Sequence, residues 1–172
     1  MKKKNSLLLA LVLSAVICLP TVSAAATEWE SGISTAPASS VQSVFSDQAY
    51  QNKVLDLINQ QRASHSLKPL TATAEMSSIA AVRAKEASVL FSHTRPDGST
   101  PASLFAQYKV VYSAAGENLA YGYTTPEALV AAWMLSPEHR DNILNPNFQY
   151  SGIGVYQSEN GKIYYAQLFY RP

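Results

Sequence analysis

Cysteine is almost missing from this chain. The only one, Cys18, sits inside an apolar N-terminal stretch. Lys2, Lys3 and Lys4 precede that stretch, the apolar run extends from Leu7 to Leu19, and Val22-Ser23-Ala24 supplies small residues after it. A basic start, a short apolar run and small residues predict a secretory signal peptide over residues 1–24. The run is short for a bilayer, which disfavours the competing reading of a retained N-terminal anchor. Ile17 stands where a lipoprotein signal wants a small residue ahead of its cysteine. The expected mature protein is therefore extracellular, without a membrane span and without any cysteine. A disulfide framework and a cysteine nucleophile are both excluded, and an ordinary apolar core has to hold the fold.

Charge of one sign is also lacking. The 13 basic and 12 acidic residues give a formal +1, and removing Lys2, Lys3 and Lys4 leaves 10 against 12, or −2. Without a basic patch, nucleic acid is not an expected partner. There is no HExxH, no CxxC, no phosphate-binding loop and no GxSxG elbow. A site carried by one compact metal, nucleotide or hydrolase motif is excluded. Any functional constellation has to be assembled from residues far apart in sequence.

After the leader comes TEWESGISTAPASSVQSVFS, rich in Ser, Thr and Ala and without sustained periodicity. It buries too little apolar surface to offset chain entropy, and residues 25–46 are read as a flexible linker. Residues 47–172 have the length of one domain with one core. Asp47 to Ser64 carries Tyr50, Val54, Leu57 and Ile58 at helical spacing, with Asp47 available as a cap. A second helix is predicted from Thr73 to Leu90, its alanines suited to close packing. FSHTRPDGST reads as a loop because Pro96-Asp97-Gly98 is turn chemistry. A short helix follows over Pro101 to Tyr108. Thr125-Pro126-Glu127 opens a third long helix, and Ser136-Pro137-Glu138 repeats that opening. SGIGVYQS and KIYYAQLFYR, joined by Glu159-Asn160-Gly161, predict a hairpin, with a further strand over Gly116 to Tyr121. Helices first and antiparallel strands last indicate an α+β fold.

Histidine is scarce enough to be followed one by one. His65 lies at a helix end, where a solvated cation is ordinary. His93 sits in a loop among Ser92, Thr94 and Arg95. His139 occupies the first turn of its helix, where the helix dipole favours the neutral imidazole. SPEHRDNIL, Ser136 to Leu144, reads on spacing alone as a capped helix start with Glu138 answering the dipole. AGENLAYG places Glu117 at the mouth of a strand. A carboxylate there is costly to bury unless paired, so Glu117 implies a partner.

Four segments taken together carry a resemblance. They are F-S-H-T at Phe91 to Thr94, G-E-N-L-A at Gly116 to Ala120, A-W-M-x-S-P-x-H-R-x-N-I-L at Ala132 to Leu144, and Y-Y-A-Q-L-F at Tyr164 to Phe169. In this order the chain resembles the CAP superfamily: the cysteine-rich secretory, antigen 5 and pathogenesis-related proteins, and most of all their bacterial secreted members. The resemblance covers Val54 to Tyr170. It implies a three-layer α-β-α sandwich with a central antiparallel sheet and a shallow cleft of two histidines and two glutamates, in which several members bind a divalent metal such as zinc. Carried over by position, His93, Glu117 and His139 form the cleft and the expected metal ligands. Glu138 is the nearest candidate for the fourth member, although adjacent residues on a helix do not face one another. Asn118, Asn142 and Gln167 are expected behind the cleft, holding its backbone.

Two functions compete on this basis. One is a monomeric secreted binding module that holds a small ligand, a lipid or a cell-envelope component. The other is an extracellular hydrolase, metal-assisted or metal-independent, using His93, His139 and Glu117. Two histidines and a carboxylate leave an open position on zinc, as catalytic sites do. A hydrolase also needs an oxyanion stabiliser and a gripping pocket, and the sequence names neither. The binding module is the stronger expectation.

Overall fold

The computed structural model describes residues 48–172; the expected signal peptide, the linker and the Asp47 cap lie outside the described residues. The order is α1 (Gln48–Ser64), β1 (Thr71–Ala72), α2 (Ala74–Val89), α3 (Ser103–Gln107), β2 (Ala114–Tyr121), α4 (Pro126–Leu135), α5 (Pro137–Ile143), β3 (Tyr150–Gln157) and β4 (Ile163–Arg171). No helix among the described residues is long and apolar enough to cross a membrane.

Caps fix where the two long inner helices begin. Thr73 accepts a hydrogen bond from the Met76 N–H at 3.2 Å, and Thr125 does the same for Ala128 at 3.2 Å. Each satisfies one of the free donors at a helix start. Ser136 differs from its expected role: its side chain makes no capping bond, and it serves as the joint where α4 ends and α5 begins. Proline at the first position of α5 suffices there, since it needs no hydrogen-bond partner.

The sheet runs β1-β3-β4-β2. β2 pairs antiparallel with β4, and β4 with β3, but β1 runs parallel to β3. The sheet is therefore mixed rather than purely antiparallel. Thr71-Ala72 is too short for a period-two pattern to register in the sequence. Helices cover both faces, giving three layers. On β4 the alternation of strand side chains sends Ile163, Tyr165 and Phe169 into one core with α1 and α4, and Ala166 and Leu168 into the other with α2 and α3. The α2 layer lies very close to β3. A Cβ on Gly154 would stand 2.0 Å from the Ala80 backbone, and one on Gly152 2.2 Å from that of Met76. Those two glycines allow the helix backbone to rest directly on the strand.

Two arginines occupy positions on apolar stripes. Arg62 continues the Tyr50, Val54, Ile58 series of α1 and is buried. Its guanidinium donates to the carbonyls of Ile143 at 2.7 Å, Asn145 at 2.9 Å and Lys68 at 2.8 Å. It thereby satisfies carbonyls that the end of α5 leaves open, and ties that helix to α1. The second, Arg83 on α2, belongs to the site.

Candidate functional site

β2 is an edge strand, and its register decides what faces where. Glu117 lies opposite Leu168 and Asn118 opposite Gln167. Successive residues of a strand point to opposite faces. Glu117 therefore enters the α2 layer, while Asn118 enters the layer of α4 and α5. The cleft opens between those layers, along the outer edge of β2.

Glu117 is buried and finds its partner on α2. Arg83 is fully buried, and its Nε lies 2.6 Å from Glu117 Oε2. The Nε–H is not aligned with that oxygen, so the contact is an ion pair rather than a directed hydrogen bond. Arg83 Nη2 donates to Glu117 Oε1 at 3.3 Å and also to the Ser92 carbonyl. His93, largely exposed, places Nδ1 2.8 Å from the same Oε1. With Nδ1–H donating to the carboxylate, Nε2 is left facing outward as the free ring nitrogen.

The loop that carries His93 is fixed by a second pair. Arg95 binds the Glu86 carboxylate through Nε at 3.0 Å and Nη2 at 2.6 Å, and donates from Nη1 to Ser103 Oγ at 2.8 Å. Glu86 in turn lies 3.7 Å from Arg83 Nη1. A chain of alternating charge thus runs Arg95–Glu86–Arg83–Glu117 and ends on His93. The bidentate Glu86 contact, an arrangement that adds directionality as well as charge, holds the Arg95 guanidinium above its ordinary pKa.

The opposite wall is α5. Asn142 Nδ2 donates to the Glu117 carbonyl at 3.1 Å and to Asn118 Oδ1 at 3.0 Å. Asn118 donates to the His139 carbonyl at 3.1 Å and to Gln167 Oε1 at 3.3 Å, and Gln167 donates to Ser151 Oγ at 3.2 Å. This ladder of amides joins the first turn of α5 to β2, β4 and β3. His139, half-buried on that turn, is held below the usual histidine pKa, first by burial and then by the nearby His93, against an opposing pull from Glu138.

His93, Glu117, Glu138 and His139 all line one open cavity of about 350 Å³, with Phe105 and Leu168 on its apolar side. Glu138 lies at its rim: neighbours on a helix diverge, yet both reach a cavity this wide. His65 is elsewhere, exposed at the end of α1 with Nδ1 2.9 Å from the Gln61 carbonyl. Sequence reading passed over Arg83, Glu86 and Arg95. The available signal was Arg83 itself, which falls in phase with Met76, Ile79, Ala80, Ala84 and Ala87 on the buried stripe of α2.

The zinc set expected from the resemblance needs three converging ligands. Among the described residues no group of three or more His, Cys, Asp and Glu side chains is disposed to hold a metal ion. Glu117 is already shared between Arg83 and His93, so a cation would compete with a buried guanidinium for it. As placed here, the donors do not fit a built metal centre.

The profile of the cysteine-rich secretory protein family, CAP, matches residues 55–169. The uncharacterized protein YkwD of Bacillus subtilis is 38% identical over 122 residues, which span 70% of this chain and 47% of YkwD. The uncharacterized membrane protein YlbC of the same organism is 32% identical over 122 residues, 69% of this chain and 34% of YlbC. The chain thus spans less than half of these relatives. Among solved structures, an extracellular SCP-domain protein from Bacillus anthracis superposes with a TM-score of 0.67 at 30% identity, covering 73% of this chain and 41% of that one. A cysteine-rich secretory protein from Staphylococcus aureus superposes with a TM-score of 0.60 at 22% identity, covering 72% and 38%. With the four motifs in order, the layered sheet and the family profile in agreement, this chain belongs to the CAP family of cysteine-rich secretory proteins.

Proposed function

We propose that the domain is an extracellular binding module whose His93–Glu117–Glu138–His139 cleft holds a component of the cell envelope. The observation that carries this reading is the state of Glu117. Its charge is answered inside the protein by Arg83, so it orients His93 instead of standing free for chemistry. A carboxylate so placed shapes a recognition surface.

The hydrolase alternative asks for a nucleophile within hydrogen-bond reach of a base. Among the described residues, neither cleft histidine ring is hydrogen-bonded to a hydroxyl. The Ser92 hydroxyl, next to His93 in sequence, accepts the Thr94 N–H at 3.0 Å instead. Extracellular placement draws support from the B. anthracis relative, which is described as extracellular.

The test is co-sedimentation of the purified protein with isolated cell-wall polymer and, separately, with lipid vesicles, alongside turnover assays on casein and a simple ester. Binding to one of the two envelope fractions that falls in His139→Ala and Glu138→Gln is the expected result. Turnover that vanishes in folded His139→Ala, or no binding to either fraction, overturns the proposal.

A further inference from the structure

A second cavity, of about 370 Å³, adjoins the first and shares His139 with it. It is walled by Phe91, Tyr121 and Trp133. The first cavity follows β2 along Ala115, Gly116 and Glu117, and the second along Leu119, Ala120 and Tyr121. Together they track the outer edge of the strand for about 20 Å, taking the usual rise per residue.

The backbone of that edge is sorted by chemistry. The Gly122 N–H donates to the Ile163 carbonyl at 2.9 Å, so the even-numbered residues of β2 bond to β4. In an antiparallel pair the alternate residues turn their N–H and C=O the other way. Ala115, Glu117, Leu119 and Tyr121 therefore direct theirs toward the groove. Two of those carbonyls are already taken, Glu117 by Asn142 and Leu119 by the Trp133 indole at 3.4 Å. The Glu117 and Leu119 N–H groups have no protein acceptor among the described residues. Both belong to buried residues, and they stand about 7 Å apart.

We propose that the two cavities form one groove, and that its occupant is an extended polysaccharide strand lying along the free edge of β2. This rests on the binding-module reading and names its ligand class. A peptide adding as a β-strand needs alternating donors and acceptors along the edge, and here the two central acceptors, the Glu117 and Leu119 carbonyls, are occupied. An acyl chain would bury the two N–H donors and the His139 ring without partners, at a cost for each. A sugar chain supplies oxygen acceptors along its length and presents C–H faces to aromatic walls. Those walls are present and accessible. Phe91 and Tyr121 are 47% and 44% exposed and meet edge to face at 4.7 Å between ring centres. Lys162 Nζ sits 3.4 Å from the Tyr121 centroid, which anchors that ring and adds a further donor beside the groove.

The test titrates the ¹⁵N-labelled protein with N-acetylglucosamine and its β-1,4-linked trimer and hexamer. Affinity should rise with chain length, and the Glu117 and Leu119 amide signals should shift. Phe91→Ala and Tyr121→Ala should each weaken hexamer binding about tenfold, the size expected of one aromatic contact. Length-independent affinity, unmoved Glu117 and Leu119 amides, or a stronger response to an extended peptide or to palmitate overturns the proposal. The wild-type amide shifts decide the matter even where a variant is unstable. If the oligosaccharides fail while an envelope fraction still binds in a His139-dependent way, the glycan assignment alone falls. If neither envelope fraction binds, the module reading falls with it.

Discussion

Arg83 and Glu117 meet across the interface of α2 and β2, Nε to Oε2 at 2.6 Å, with both side chains withdrawn from solvent. The pair welds the helix that precedes the His93 loop to the strand that floors the cleft. Breaking a buried pair on one side strands the other charge, at a cost of about 3–5 kcal/mol. Arg83→Met is therefore expected to destabilise the domain by about that much in urea titrations. Adding Glu117→Leu should recover most of the loss, because the stranded charge then disappears. An Arg83→Met variant within about 1 kcal/mol of the parent would show that the pair contributes little beyond a surface contact.

Close approach of α2 to the sheet makes Gly154 a sharp probe of packing. A Cβ there would stand 2.0 Å from backbone atoms of Ala80, which cannot rotate away as a side chain could. Gly154→Ala must push the helix off the strand, and overpacking of this kind costs about 1–3 kcal/mol or more. Thermal unfolding should show a clear loss. Gly161→Ala probes a different effect: that turn has open space but φ of +81°, so its penalty is backbone strain alone. Equal stability of Gly154→Ala and the parent would mean the layers are looser than the geometry states.

The layered fold was legible in the sequence because its signals are local. Thr73 and Thr125 cap helices, the Ile163 to Phe169 stretch alternates, and Gly161 turns the hairpin. Glu117 was legible as a carboxylate needing a partner, yet the partner's identity was not, because Arg83 lies 34 positions away on a helix that reads as alanine packing. Arg62 escaped for a related reason: an arginine at the end of an apolar series looks like a solvated C-terminal cation. In the fold it reaches carbonyls 81 and 83 positions away. β1 was invisible because two residues carry no period. Local grammar names the elements; ion pairs between distant elements need the topology first.

Burial and His93 together hold His139 in its neutral form, which links the cleft to pH. Its folded pKa lies below the ordinary 6.5, so near and below that pH the unfolded chain binds more protons than the folded one. Stability then rises with pH across this interval. The contribution of neutral His139 is complete above the unfolded pKa and is lost as pH falls toward and through the folded one. Ring-proton titration by NMR should place His139 below the ordinary histidine value of 6.5. Glu138→Gln should lower it further, by removing the group that favours the cation. His93→Gln should raise it. A His139 that titrates at or above the ordinary 6.5 would contradict the burial seen here.

Metal binding can be separated from fold by comparing chelation with titration. The charges around the cleft answer one another, so EDTA is expected to leave the unfolding temperature unchanged. Added zinc should also stabilise little, because Glu117 is held by Arg83 and no three ligands converge among the described residues. A micromolar site at a hundredfold excess of free zinc would add about 2.7 kcal/mol, well within reach of a melting experiment. The expected stabilisation at that zinc concentration is under about 0.5 kcal/mol, the effect of a ligand near or below its Kd. His65→Ala, on the exposed end of α1, serves as the control for stray imidazole binding. A shift near the larger figure, kept in His65→Ala and lost in both His93→Ala and His139→Ala, would establish a zinc site in the cleft. It would also require Glu117 to exchange Arg83 for the metal, which Arg83→Lys should then facilitate by loosening the fork that now holds the carboxylate.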